Sequence, residues 1–396
     1  MVKRKTPLAW KNLTHDWRRL AIAMGGICFA VLLMFVQTGF QHALFDSQVK
    51  LIDDLDPEAA DILMVSEARY VLPKGRRFPY ARLFQALAEE EVLAAIPIYL
   101  EAEVGLLKKD DHASQYIRVI GCDVTARPLR SAGLQAHWED LRQPNTAVID
   151  VASTHKKFPF AMHDVQQLRQ EGAELMGRRL QLRGTFRMGT DFATEGNLLM
   201  SKENFAAYFP SRNVGGDPLD VVDVGVLDVA EGADPVQVAA TLRRKLPSDV
   251  RILPRSRFRE AEIGFWNEST PIGRIFRTGT MMGFLVGVII CYQIIFSDIS
   301  DHMPEFATLK AMGYRSNYFI QLIVIEAIYL SLLGFVPGAI LSWGIYKVIA
   351  AKTGLLMSML PVTRILWILV LTMAMCVVSG LLAVRKLLQA DPADLF

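Results

Sequence analysis

Four long apolar runs constrain this chain more than any other feature: Leu20–Phe40, Gly279–Ser297, Tyr318–Tyr346 and Ile365–Val384. About 20 residues at 1.5 Å rise cross a hydrocarbon core of roughly 30 Å, which each run can do. Backbone N–H and C=O groups inside that core must be hydrogen-bonded within the protein, and this favours helices. The sequence therefore predicts four transmembrane helices, one near the N-terminus and three near the C-terminus.

The segment before the first run is strongly basic. Residues 1–19 carry six Lys or Arg against one acid, Asp16, which predicts a cytoplasmic N-terminus. The run is longer than the apolar region of a signal peptide and no small-residue cleavage pattern follows it, so we expect it to remain in the protein. Lys347, Lys352 and Arg364 lie in the loop that this topology places outside, and they weakly oppose it.

Residues 41–278 have the composition of a water-exposed domain. Strand-like segments are 62–66, 116–121, 147–151, 179–186, 198–201 and 221–229, and helical patterns cover 80–90, 235–246 and 257–267. We predict an α-helical membrane protein with four transmembrane helices (1 + 3) and a large α+β extracytoplasmic domain between the first and second. The predicted order is a cytoplasmic segment (1–19), a helix (20–40), a periplasmic domain (41–278), a helix (279–297), a cytoplasmic loop (298–317), a helix (318–346), a short periplasmic loop (347–364), a helix (365–384) and a cytoplasmic tail (385–396).

The sequence lacks the motifs of the common catalytic sites. It contains no phosphate-binding G-x-x-x-x-G-K-[ST], no dinucleotide G-x-G-x-x-G after a strand, no H-E-x-x-H and no G-x-S-x-G. Four cysteines without close spacing predict neither a disulfide framework nor a metal site, and a net charge of +2 gives no case for nucleic-acid binding. We expect a non-catalytic chain with no cofactor and no metal of its own.

The stretch 297–313 between the second and third runs is amphipathic. Ile299, Met303, Phe306, Leu309 and Met312 recur at helical spacing. Pro304 suits a first turn, and Gly313 suits a helix end. The spacing alone fits a helix that rests on the bilayer surface as well as one that docks on a protein.

Two further features mark the membrane runs. Gly283 and Gly287 form a small-xxx-small pair, which predicts a helix-packing face. Glu326 is an ionisable residue within the third run. It either pairs with a polar group and sets how that helix moves, or it reaches the nearby interface and supports local packing.

Three sequence segments resemble the DevC family of permeases, within the class that includes MacB and FtsX. They are MFVQTGFQHALFDS (34–47), VIICYQIIFSDISDHMPEFATLKAMGY (288–314) and RKLLQADPADLF (385–396). The resemblance implies a homodimeric inner-membrane permease with both termini cytoplasmic, coupled to a separate DevA-like ATPase that binds ATP and Mg. It also implies a periplasmic DevB-like adaptor and a TolC-like outer-membrane duct.

The same resemblance implies roles for the amphipathic stretch. It would be a coupling helix received by the ATPase, through the residues Glu305, Phe306, Thr308, Leu309, Lys310, Met312 and Gly313. ATP-driven movement would pass to the periplasmic domain by mechanotransmission and drive export of a lipid-like substrate. The alternatives are an FtsX-like regulator of a cell-wall enzyme, a lipoprotein-release permease and a membrane-anchored periplasmic enzyme.

Overall fold

The computed structural model describes residues 17–109, 113–153, 157–162, 168, 173–191, 194–213, 215–301, 303, 308, 312, 316–353 and 362–389. The helices are α1 (Trp17–Gln48), α2 (Lys50–Asp53), α3 (Ala81–Ala86), α4 (Lys202–Tyr208), α5 (Pro235–Lys245), α6 (Arg255–Gly264), α7 (Pro271–Asp301), α8 (Ser316–Thr353) and α9 (Val362–Gln389).

The strands are β1 (Ile62–Ser66), β2 (Phe78–Pro79), β3 (Val92–Glu101), β4 (Leu106–Lys109), β5 (Gln115–Tyr116), β6 (Arg118–Cys122), β7 (Thr146–Asp150), β8 (Ala173–Leu175), β9 (Arg178–Phe186), β10 (Asn197–Ser201), β11 (Val221–Val222), β12 (Val224–Val229) and β13 (Val250–Pro254).

Four helices are long and apolar enough to cross a membrane. Their membrane-compatible parts are Trp17–Gln48, Pro271–Asp301, Ile320–Ile349 and Val362–Arg385. The prediction of four such helices with a large α+β domain between the first and second is confirmed. α1 and α7 each extend about two turns beyond their apolar runs on the side of that domain.

The chain divides into two compact units. One contains residues 1–42, 271–349 and 357–396, and we call it the membrane unit; the other contains residues 43–270 and 350–356, and we call it the domain. The domain is built on one sheet of eleven strands in the order β13-β1-β12-β3-β6-β10-β7-β9-β8-β4-β5. Its pairs are mostly antiparallel, whereas β6–β10 and β7–β9 are parallel.

Both faces of the central strands are buried. Along β1, Ile62 and Met64 pack into one apolar cluster, whereas Leu63 and Val65 pack into a second cluster on the opposite face. Successive side chains of a strand point to opposite faces, so burial on both faces requires a continuous apolar run. This is why the segment reads ILMVS rather than as an alternating pattern.

The longest strand, β3, was not predicted from the sequence, because Pro97 interrupts it. Pro97 lies opposite Gly225 of β12, and the pairing of β3 with β6 begins only at the next residue, Ile98. A proline has no N–H to donate, so it is tolerated where one neighbouring strand is missing. The two-sided pairing of β3 starts after that position.

A buried carboxylate fixes the turn after β7. Asp150 is fully buried; its Oδ1 accepts hydrogen bonds from the N–H groups of Ala152 at 2.8 Å and Met188 at 3.1 Å. Its Oδ2 accepts from Gly189 N and Asn197 Nδ2, both at 2.8 Å. One side chain thereby holds the ends of β7, β9 and β10 in register.

Replacing this carboxylate should destabilise the fold strongly. Asp150→Ala removes both carboxylate oxygens, which accept these four hydrogen bonds. The change should cost about 3–5 kcal/mol of unfolding free energy. Thermal and denaturant unfolding of the full chain in detergent measure the loss. The matched control is Asp249→Ala, which removes an exposed pair with Arg82 at 2.9 Å and should cost about 1 kcal/mol or less. Equal losses for the two variants would contradict the role of Asp150.

Candidate functional site

The predicted glycine pair of α7 lies against α1. A β-carbon at Gly287 would stand 2.9 Å from Ala30 Cβ and would overlap the Met375 sulfur of α9. At Gly283 it would stand 3.5 Å from Leu33 Cβ and 3.5 Å from Met34 Cγ, which is ordinary contact. Gly287 is therefore a position where α7 approaches both α1 and α9 closely.

A second glycine pair, which the sequence analysis missed, joins α8 to α1. A β-carbon at Gly334 would stand 2.5 Å from Ile27 Cγ2, and one at Gly338 would stand 2.8 Å from Val31 Cγ1. The signal is present in the sequence as GFVPG, the same small-xxx-small spacing as in α7. α1 is thus contacted at glycines by both α7 and α8.

Polar side chains add contacts inside the membrane unit. Ser379 of α9 donates to Val288 O of α7 at 2.8 Å, and the Tyr346 hydroxyl of α8 donates to Phe35 O of α1. The thiols of Cys291 and Cys376 are buried and 3.7 Å apart. Glu326 is half-buried in α8 and interacts with other groups there.

The close approach at Gly338 should tolerate no side chain. Gly338→Val would force atoms into Val31 and into the Cys28 carbonyl, 3.1 Å from the new β-carbon, at a cost of about 1–3 kcal/mol. The variant should show a lower midpoint of thermal aggregation, which is measured by size-exclusion chromatography in detergent. Gly344→Val is the control on the same helix, because nothing lies within 4 Å of a β-carbon there. A wild-type profile for Gly338→Val would contradict the packing.

The amphipathic stretch begins as the end of α7. No helix-breaking residue precedes Pro304, so α7 continues through Ser297 to Asp301, and Ile299 is buried within the membrane unit. Its first residues therefore belong to the membrane helix, whereas the sequence analysis assigned them to a separate helix. Arg19, near the start of α1, pairs with Asp301 at 2.5 Å. The end of α7 thus lies beside the start of α1.

Most predicted coupling residues, Glu305, Phe306, Leu309, Lys310 and Gly313, lie outside the described residues. Thr308 and Met312 are described, and both side chains are exposed. Met312 N donates to Thr308 O at 3.1 Å, the i to i−4 bond of an α-helical turn. Met312 is 63% exposed, so its apolar side chain is available at the surface.

On the domain side, α6 is the element that leads back to the membrane. It is followed by a π-helical turn, Phe265–Ser269, and then by Pro271, the first residue of α7. Glu262 of α6 is 2% exposed, and its Oε1 accepts from Leu72 N at 3.0 Å and from Trp266 Nε1 at 3.3 Å. α6 is therefore hydrogen-bonded to the loop of residues 67–77, between β1 and β2.

Burial raises the pKa of the Glu262 carboxyl from 4.5 to about 7, although the two donors and the nearby arginines lower it in part. Between about pH 4.5 and pH 7, Glu262 is protonated in the folded chain and ionised in the unfolded chain. Stability from this group is present below about pH 4.5 and is lost as the pH rises through about 7.

Glu262→Gln should remove this pH dependence. The glutamine keeps the acceptor oxygen and carries no charge. The loss of stability between pH 5 and pH 8 should therefore be smaller in this variant than in wild type, by up to roughly 3 kcal/mol. Unfolding temperatures at the two pH values measure the difference. Glu260→Gln is the control, since that exposed side chain lies on the same helix. A pH response of Glu262→Gln identical to wild type would show that Glu262 is ionised in the folded protein at both pH values.

Among the described residues, no group of three or more His, Cys, Asp or Glu side chains is arranged to hold a metal ion. Buried Arg118 of the domain pairs with Asp191 and also donates a hydrogen bond to the amide oxygen of Asn197. These contacts order loops, and they assemble no nucleophile with a general base.

Comparison with known families identifies the C-terminal part of the chain. Residues 279–392 match the family described as FtsX-like permease C-terminal. The match includes most of α7, all of α8 and α9, and the amphipathic stretch between α7 and α8. No curated protein matches the chain.

Three solved structures resemble the domain at low identity. The periplasmic region of MacB from Actinobacillus actinomycetemcomitans is 10% identical with a TM-score of 0.35, covering 53% of this chain and 94% of that one. The extracellular domain of the ABC-type transporter YknZ from Gram-positive bacteria is 10% identical (TM-score 0.32; 49% and 98%). A permease-protein domain from Porphyromonas gingivalis is 11% identical (TM-score 0.30; 50% and 89%).

Proposed function

We propose that this chain is the membrane permease subunit of an ABC exporter of the DevC type. The observation that carries the proposal is the FtsX-like permease match of residues 279–392, in a chain that has one membrane helix before a large α+β domain and three after it. ATP hydrolysis is assigned to a separate ATPase, because the sequence lacks a phosphate-binding loop.

The amphipathic stretch is the proposed ATPase-docking site. The Arg19–Asp301 pair supports this, because it sets the start of the stretch beside the basic N-terminal segment that predicts the cytoplasmic side. The exposed Met312 and the helical turn from Thr308 to Met312 fit a helix that is received in an apolar groove. Phe306 and Leu309 would be its other apolar anchors, while Glu305 and Lys310 would fix its orientation.

The proposed mechanism is mechanotransmission. Closure of two ATPase subunits would move the docking stretches of a permease homodimer, and α7 would carry the movement because it is continuous with the stretch. The glycine contacts of α1 with α7 and α8 support movement of these helices as one body. At the other end of α7, the domain would act on a lipid-like substrate and pass it to a periplasmic adaptor and a TolC-like duct. The protein would lie in the inner membrane with both termini cytoplasmic.

A pull-down from native membranes tests the docking assignment. Phe306→Asp combined with Leu309→Asp places two charges on the proposed apolar face and should remove at least nine-tenths of the ATPase subunit while an adaptor is retained. The control is Phe84→Asp with Leu87→Asp, which charges two exposed apolar side chains of the domain and should leave the ATPase bound.

Retention of the ATPase by the Phe306 and Leu309 variant would contradict docking through this stretch. A wild-type complex that contains a cell-wall hydrolase, with neither adaptor nor duct, would overturn export and favour an FtsX-like regulator. Vanadate-sensitive ATP hydrolysis by the purified chain alone would overturn the assignment of ATP hydrolysis to a separate subunit.

A further inference from the structure

A cleft of about 450 Å³ opens in the domain beside the loop 67–77 and the end of β3. Arginine is the commonest residue type in its wall: Arg69, Arg76, Arg77 and Arg118 line it, against Glu101 and Glu103. Leu51, Leu72 and Leu100 supply an apolar part of the wall. Concave sites of this size with a few fixed polar groups are typical of small-molecule binding.

The guanidinium groups behind the cleft are held by ion pairs with buried carboxylates. Asp223 pairs with Arg69 at 2.6 Å and also with Arg212, while Glu101 pairs with Arg77 at 2.9 Å and lies 3.6 Å from Arg212. Three guanidinium groups therefore share two carboxylates. Asp223 is fully buried, and Arg69 and Arg212 are nearly so, so these ion pairs are poorly screened by water, and Glu262 is a further acid that acts on Arg69.

Arg76 adds a charge that is directly accessible. Its side chain is exposed at the cleft, and its backbone carbonyl accepts a hydrogen bond from Arg69 Nε at 2.9 Å. That bond, with the bond from Arg69 Nη1 to Leu72 O at 2.8 Å, holds the loop that carries Arg76. An anion in the cleft would meet a guanidinium group on a fixed backbone.

Two polar atoms of the lining residues have no hydrogen-bond partner within the part of the chain that the structure describes. They are Arg77 Nε, a donor that lies 4.0 Å from Asp223 Oδ1, and Gln48 Oε1, an acceptor, and both are buried. Gln48 is 2% exposed. An unmet buried polar group costs about 1–3 kcal/mol, which a ligand that offers both an acceptor and a donor would recover after a small rotation of these side chains.

We propose that this cleft binds a phosphate or carboxylate group that carries a neighbouring hydroxyl or amide donor. The anionic oxygens accept charge-assisted bonds from Arg76 and Arg77, the donor bonds Gln48 Oε1, and the leucines contact the nonpolar part of the ligand. A soluble phosphate ester and an anionic phospholipid headgroup share this chemistry. The inference does not depend on ATPase docking or on export.

Isothermal titration calorimetry of the full chain in detergent tests the site, with glycerol 3-phosphate, inorganic phosphate and glycerol as probes. We expect saturable binding that is tightest for glycerol 3-phosphate and absent for glycerol. Arg76→Ala should weaken it about fivefold to tenfold. Gln48→Glu, which keeps the side-chain shape and adds a negative charge, should weaken it more than tenfold. Thermal unfolding checks that each variant is folded.

The control is Arg244→Ala, which removes an exposed arginine of α5, changes the net charge equally and should bind as wild type does. A parallel experiment compares thermal unfolding in phosphatidylcholine nanodiscs with and without phosphatidylglycerol. Stabilisation by phosphatidylglycerol that Arg76→Ala abolishes identifies the lipid headgroup as the ligand, and binding of the soluble ester alone identifies a free phosphate ester.

The proposal is overturned if neither experiment detects binding. It is also overturned if Arg244→Ala weakens binding as much as Arg76→Ala, because the effect would then be one of net charge. Unchanged affinity in both Arg76→Ala and folded Gln48→Glu would place any binding elsewhere on the chain.

Discussion

Close backbone approach at glycine is the interaction on which the membrane unit depends. Apolar side chains gain little by leaving lipid for another helix, so association must come from packing contacts and a few interhelical hydrogen bonds. Gly287 admits Ala30 and Met375, and Gly338 admits Val31, so α1 is held from two sides. The bonds from Ser379 to Val288 O and from Tyr346 to Phe35 O add direction to contacts that are otherwise nonpolar.

Buried carboxylates hold segments of the domain together, whereas glycine contacts hold the helices of the membrane unit together. Asp150 collects four donors from three parts of the chain, and Asp223, just before β12, joins Arg69 to Arg212. Each carboxylate orders the loops that it contacts. Arg69 also lines the cleft, so the hydrogen bonds by which it holds the 67–77 loop position the cleft wall as well. Glu262 connects that loop to α6, from which the chain continues into α7.

Much of the fold could be predicted because some physical signals are local. Long apolar runs identified the membrane helices, and compact apolar segments such as 62–66 identified interior strands with little error. β3 was missed because Pro97 is acceptable only where β6 is not yet paired, and that depends on a distant strand. The sequence predicted the end of α7 at Ser297 because polar residues begin there. The helix nevertheless continues to Asp301, because no residue in this segment interrupts its backbone.

The sequence by itself determined the class of protein, the order of its parts and the absence of a phosphate-binding loop, because length, hydropathy and motif spacing are properties of contiguous residues. Only the tertiary structure decided which glycines meet a neighbouring helix. Gly338 and Gly344 lie on the same helix and look alike in the sequence, but only Gly338 faces Val31. Only the tertiary structure, likewise, brought Gln48, Arg76 and Glu101 to one cleft, because a binding surface is made by residues that chain order keeps apart.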